Sequence, residues 1–351
     1  MQSQLAFCLD TNQSTLVIRK YSLQCIENII LLLCMPFFLA AQLGNDSTYI
    51  KNHTLPNYIS LDYQYLGSGL HFYNKDKGID RGPVYPFESA QAVGFNLTYK
   101  FFTIAYLQTI KNKVNRSAFH LGANMMFGPW EFDADYYKYK NLAILEPQPD
   151  HEFPVDIKYS SISAEVLYNF NARKYSTRAV LFGDKIQRKS AGAFMLSAFP
   201  VYRFLSGNTV NSDVIVPDNA EFRTYFGKVA GMTEAKFYNL DIRPGYSYTW
   251  AFKKGTYFLS ASAMLGTGFG YHSMSTEIQE VHGWHWQASG RFLAAAGYNG
   301  PRIFAIIHYR YTSSVSVINP ALISVDEGIL RIRLGYRFGH VEKTIPVDSP
   351  Y

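Results

Sequence analysis

Residues 329–338 read Ile-Leu-Arg-Ile-Arg-Leu-Gly-Tyr-Arg-Phe. Leu330, Ile332, Leu334, Tyr336 and Phe338 alternate with Arg331, Arg333, Gly335 and Arg337. Side chains of an extended chain point alternately to opposite faces, so this is a strand with one apolar and one cationic face. The same period recurs upstream. Ile59, Leu61, Tyr63 and Tyr65 alternate with Ser60, Asp62 and Gln64, and Val93, Phe95, Leu97 and Tyr99 with Gly94, Asn96 and Thr98. Ile162, Ala164, Val166 and Tyr168 alternate with Ser161, Ser163 and Glu165, and Tyr238, Leu240 and Ile242 with Asn239, Asp241 and Arg243.

A soluble sandwich would alternate too, with its apolar face in a core. Three features point to a membrane barrel instead. The strands are long enough for a tilted span of the bilayer, charged residues stand mid-strand on the polar face, and apolar faces end in Tyr or Trp as an aromatic girdle requires. Composition agrees. Of 351 residues 27 are Tyr, 26 Phe and 4 Trp, while only 17% are charged, which excludes intrinsic disorder. No apolar run reaches the roughly 18 residues of a membrane-spanning helix, which excludes a helical membrane protein.

The longest apolar run, Ile29 to Ala41, follows Arg19 and Lys20 and closes on Ala40 and Ala41. That is the pattern of a secretory signal peptide cut near Ala41. Cys8, Cys25 and Cys34 all precede the cut, so the exported chain carries no disulfide framework and no thiolate metal site. The net charge of +6 is too small to argue for nucleic acid.

The sequence therefore predicts an all-β antiparallel outer-membrane barrel over 58–338, after a linker at 42–57 and before a periplasmic tail at 339–351. Candidate strands are 58–66, 92–100, 102–109, 117–126, 130–139, 157–169, 175–184, 192–204, 236–250, 256–269, 285–297, 302–313 and 328–338. Thirteen is odd, and a bacterial single-chain barrel needs an even number. Either a strand is hidden near 209–216 or residues 175–204 do not form two spans; the expectation is 12 or 14 strands, leaning to 14. Turns at 252–255 and 298–301 are placed in the periplasm, and long loops at 270–284 and 314–327 outside. The aromatic last strand is the signal expected to engage the barrel assembly machinery, with outer-membrane lipid as the other partner.

Asn171-Ala172-Arg173-Lys174-Tyr175-Ser176-Thr177-Arg178-Ala179 and, eight residues on, Gln187-Arg188-Lys189-Ser190-Ala191-Gly192 form a denser motif. With Pro244-Gly245-Tyr246 and Gly297-Tyr298-Asn299, it resembles the signature of a Bacteroidetes outer-membrane family, domain of unknown function 4421. The resemblance spans about 57–338. It implies an outer-membrane barrel and brings no known activity.

The polar faces supply the candidate site. Glu131, Asp133 and Asp135, two apart on one strand, with Glu165 on the next, form an acidic wall. His285, Arg291, Arg302, His308, Arg310, Arg331, Arg333 and Arg337 form a basic one. Facing each other across a lumen, they set up a transverse field that selects polar solutes; alternatively they pair and fill the lumen. Arg178, Arg188, Lys189 and Ser190 read either as an anion clamp, since guanidinium matches phosphate, or as a turn folded into the lumen and neutralised by Glu131, Asp133 or Glu165. His282 and His285 lie on opposite faces of a strand with no third ligand at suitable spacing, so no metal and no cofactor is expected. Nothing fixes a catalytic triad. The expected role is a passive channel or binding barrel for a small polar or anionic solute; the alternatives are a closed structural or partner-binding barrel with an ion-paired lumen and, after it, a lipid-directed barrel enzyme.

Overall fold

The structure is a computed structural model. It describes residues 45–339 except 56, 75–83, 111–116, 143–156, 208–213, 217, 219, 277 and 319–320. The expected signal peptide and the tail beyond 339 lie outside the described residues.

A short strand β1 (Ile50–Asn52) comes first. Then follow β2 (Asn57–Asn74), β3 (Val84–Tyr99), β4 (Phe102–Thr109), β5 (Ser117–Phe127), β6 (Trp130–Leu142) and β7 (Ile157–Asn169). After β8 (Lys185–Gln187) come β9 (Ala191–Gly207), β10 (Met232–Phe252), β11 (Tyr257–Thr276), β12 (Glu280–Asn299), β13 (Ile303–Ile318) and β14 (Ala321–Phe338). β1 and β8 pair only with each other; the other twelve close an antiparallel barrel in which β14 returns to β2. Phe338 lies opposite Asn57 at one end of that seam and Ala321 opposite Asn74 at the other. No helix among the described residues is long and apolar enough to cross a membrane.

Burial is inverted relative to a soluble protein. The apolar members of each alternation face outward: Leu265 is 75% exposed, Trp284 74% and Phe194 70%. The polar members are buried, among them Asp62, Asn96, Asp241, Arg243, Arg333 and Arg337. Such a surface is stable only in a non-aqueous surround, and closure leaves none of the twelve barrel strands with an unpaired edge.

Two expectations need correction. The barrel has twelve strands, not the favoured fourteen, because 175–184 is not a span: it contains a five-residue helix, Thr177–Leu181. The Ser176 hydroxyl accepts from the Ala179 N–H at the start of that helix, and Gly183, in the left-handed region at φ 71°, ends it by donating to the Arg178 carbonyl. Of the strand suspected near 209–216, residues 214–216 are irregular and the preceding ones lie outside the described residues. The loops expected at 270–284 and 314–327 are mostly strand, since β11 runs on to Thr276 and β13 to Ile318.

The interior is layered. At the long-loop end the β9–β10 connection contributes Ile215, Val216, Phe226 and Val229, which pack on Leu70, Phe72, Leu205 and Ile323. At the short-turn end the β7–β9 connection, with the chain preceding β2, fills the lumen. Charged residues occupy the space between.

Candidate functional site

β-alternation carries Glu131, Asp133 and Asp135 inward from β6 and Glu165 inward from β7. Asp133 and Glu165 stand directly opposite in the ladder, a like-charge pair that destabilises unless neighbours compensate. Asn124 of β5, also directly opposite Asp133, does part of this: its Nδ2 donates to Asp133 Oδ1 at 2.6 Å and to Glu131 Oε1 at 3.2 Å. Asp135 bonds the His120 ring at 2.6 Å. Glu165 takes an ion pair from Arg291 of β12, four strands round the ring.

The basic wall is assembled from β12, β13 and β14. Arg310 donates to the Tyr137 hydroxyl at 2.9 Å, and β13 and β6 are on opposite sides of the ring, so this bond crosses the lumen. Tyr139 of β6 likewise reaches Glu327 of β14 at 3.3 Å. Arg333 is held by Asp62 of β2 at 2.9 Å, and Arg331 by the Gln64 side chain at 2.7 Å. His285 is buried against His272, their Nδ1 atoms 3.2 Å apart. His308 is buried. Arg302 is exposed at the short-turn end and takes no part in the wall. Arg337, stacked over Phe304 at 4.5 Å, donates to the carbonyls of Gly183 and Gly300 and to the Asn299 side chain.

The motif around Arg178 divides. Arg178 is 1% exposed inside the barrel. Its Nε donates to Asp184 at 2.5 Å, and its Nη1 to the Phe101 carbonyl at 3.0 Å and to Asn124 Oδ1 at 2.9 Å. Thr177 donates to Glu131 at 2.5 Å, and the Leu181 carbonyl accepts from Arg333 at 2.6 Å. The segment is thus a plug, tied to β5, β6, β14 and the β3–β4 turn and folded into the lumen, with Asp184 as the partner of Arg178. Arg188, Lys189 and Ser190 are exposed and away from it. Arg188 bonds the Ser47 carbonyl at 3.1 Å, Lys189 lies 5.3 Å from the Tyr49 ring centre, and Ser190 accepts from the Ala251 N–H at 3.0 Å. The four residues do not form one clamp.

The chain ahead of β2 locks the plug from below. β1 pairs with β8, and His53 bonds Asn299 Oδ1 at 3.0 Å. Burial, and then the charge of Arg337, push the His53 imidazole down to about 4. Undocked, this ring binds a proton near 6.5, so between about 6.5 and 4 the undocked state holds more protons and docking weakens as pH falls. On going from pH 7 to pH 4, docking of residues 50–53 is expected to lose roughly 2 kcal/mol, read as faster amide exchange in β1. His53→Gln should remove most of that pH dependence; an unchanged profile would assign it to another group.

Between plug and mouth lies a cavity of about 200 Å³. Its lining includes Glu131, Asp133, Arg243, Arg291, Arg310 and Thr177. Thr177 and Asn124 satisfy Glu131 by hydrogen bonds, whereas most of the arginines are neutralised by carboxylates. The cavity is therefore a polar chamber with fixed, opposed charges. Among the described residues no group of three or more His, Cys, Asp or Glu could hold a metal ion.

Sequence reasoning passed over Asp62, Asp184, Arg203, Asp241 and Arg243. Asp62 and the Asp241–Arg243 pair stood on polar faces already identified; the signal lay in their alternation with Leu61 and Ile242. Asp184 carried no such signal, because its role exists only once the plug folds.

Residues 44–338 match the family described as Domain of unknown function (DUF4421). The chain belongs to that family. This accords with the motif at 171–192, most of which builds the plug of this DUF4421 barrel. No curated protein matches the chain. Among solved structures, the chain is similar to the outer membrane protease OmpT of Escherichia coli at 10% identity and TM-score 0.36, over 83% of this chain and 100% of that one. It is similar to the β-domain of the Bordetella autotransporter BrkA at 13% identity and TM-score 0.37, over 81% and 100%. The Pseudomonas putida toluene transporter TodX aligns at 7% identity and TM-score 0.29, over 85% and 95%. These likenesses concern the outer-membrane type of barrel and say nothing of what this one does.

Proposed function

We propose that this protein is a closed binding barrel of the outer membrane, whose internal chamber holds a small polar solute, and not a passive open channel. The plug carries this reading. Arg178, Thr177 and the Leu181 carbonyl are each bonded to the barrel wall, and Tyr137–Arg310 spans the lumen above them. Ions would have to displace several buried charge-assisted bonds at once, each worth more than an ordinary hydrogen bond. The chamber's opposed acidic and basic walls suit a solute with both donor and acceptor groups. Export through a signal peptide cut near Ala41 and assembly through the last strand belong to the same proposal.

The test is single-channel recording of the refolded chain lacking residues 1–41 in a planar bilayer under a salt gradient. Correctly folded protein is expected to be silent. Reproducible conductance steps would overturn the closed reading in favour of a channel, and the sign of the reversal potential would then identify the dominant wall.

A further inference from the structure

At the short-turn end Lys51, Lys100, Arg173, Lys174, Arg188, Lys189, Lys253, Lys254 and Arg302 are all exposed. Three acids accompany them among the described residues; Glu131, just past the β5–β6 turn, is buried and accepts from Thr177. Asp46 is taken by the N–H and hydroxyl of Thr48, and Asp184 is held by Arg178 inside the barrel. The opposite end is mixed, with Glu234 paired to Lys236 and Asp218 to Arg223. Among the described residues, the short-turn end is thus almost purely cationic at its surface.

Placement of these cations is specific. Lys100, Lys253 and Lys254 occupy left-handed backbone positions, with φ of 54°, 46° and 56°. Glycine or asparagine adopts that conformation at less cost, so each of these three turn positions carries a lysine that the local backbone does not favour. Lys100 lies over the Tyr99 ring at 5.6 Å and Lys253 over Tyr257 at 5.6 Å. Lys174 and Lys189 both lie 5.3 Å from the Tyr49 ring. Tyr99, Phe101, Phe170, Trp250, Phe252 and Tyr257 are exposed at this same level and form the aromatic belt of that rim. The cations sit at its edge, and with the belt at a bilayer interface long basic side chains so placed meet phosphate.

We propose that this face is a docking surface for anionic phospholipid headgroups of the membrane leaflet it borders. The proposal rests on the outer-membrane placement above, but not on the barrel being closed. Lysine ammonium groups along a belt neutralise phosphate without a shaped pocket, so the partner is a class of lipid and not one molecule.

The full barrel, refolded into phosphatidylcholine vesicles containing one part in three phosphatidylglycerol, tests this by native mass spectrometry of the lipids retained on extraction. The ratio of phosphatidylglycerol to phosphatidylcholine among the retained lipids should be about fivefold that of the vesicle, and the enrichment should fall in high salt. A variant with Lys100, Lys174, Lys189, Lys253 and Lys254 each changed to Gln should return to the vesicle ratio, whereas the five Lys→Arg changes should keep the enrichment. Heat-modifiable migration on gels reports that each variant has folded and inserted; failure of the parent protein to insert would sink both the placement and this proposal. Insertion with bulk lipid ratios, or equal enrichment in the Gln variant, overturns the lipid proposal alone. So does a lysine-dependent co-sedimentation with peptidoglycan sacculi in the absence of lipid selectivity, which would make the cell wall the anionic partner.

Discussion

Asp62→Ala should cost the barrel about 3–5 kcal/mol, as expected for removal of one partner of a buried ion pair. Asp62 is 0% exposed on β2. It accepts from Arg333 Nε at 3.0 Å and Nη2 at 2.9 Å, and lies 3.8 Å from Arg331. Without it, Arg333 keeps only the Leu181 carbonyl and the Asn96 side chain as neutral acceptors, at 2.6 and 3.2 Å. Two cations would then repel each other two residues apart on one strand. Equilibrium denaturant unfolding of the refolded barrel in vesicles gives the loss directly. The double change Asp62→Leu with Arg333→Met should recover most of it, since it removes both charges together. A loss below about 1 kcal/mol for Asp62→Ala would mean that lumen water solvates Arg333 as well as the carboxylate does.

Arg178→Ala has the second large effect, on the plug and not on the wall. It deletes the bonds to Asp184, the Phe101 carbonyl and Asn124, and leaves the Asp184 carboxylate without its cation. The Phe182 and Gly183 amides, both bonded to the Arg178 carbonyl, report on the local opening. Their exchange with solvent should accelerate about a hundredfold, which corresponds to an opening easier by roughly 3 kcal/mol. Conductance steps absent from the parent barrel should appear as well, because the plug no longer fills the short-turn end. Unchanged exchange would show that β1–β8 pairing and the Arg337 bonds hold the segment without Arg178. Fast exchange in a silent barrel would place the block at the apolar mouth around Phe226 and Val229 instead.

The contrast between two basic stretches shows how far sequence reasoning reaches. Arg331, Arg333 and Arg337 alternate with Leu330, Ile332 and Tyr336, and two-residue periodicity alone assigns them to the polar face of one strand. The structure puts them there. Arg178 and Arg188 belong to a single motif in sequence, yet one is buried beside Asp184 and the other exposed beside Ser47. No periodicity separates them, because the segment is neither strand nor long helix. Its one local cue was Ser176 standing before Thr177–Leu181, a helix start that five residues of helix do little to advertise.

By itself the sequence determined the fold class, most of the strands, the direction of each face and the residues available to line a lumen. These follow from the alternation of side chains along an extended chain, a local property that about ten consecutive residues of a strand display. Tertiary structure alone decided the count of twelve, the conversion of 175–184 from expected span to plug, and the pairing of Arg291 with Glu165 and of Arg333 with Asp62. Those depend on closure of the ring, which sets β2 beside β14 and brings β7 and β12, far apart in sequence, within reach of each other through the lumen. A charge on a polar face is legible in one strand; its partner is settled only when the strand opposite is in place.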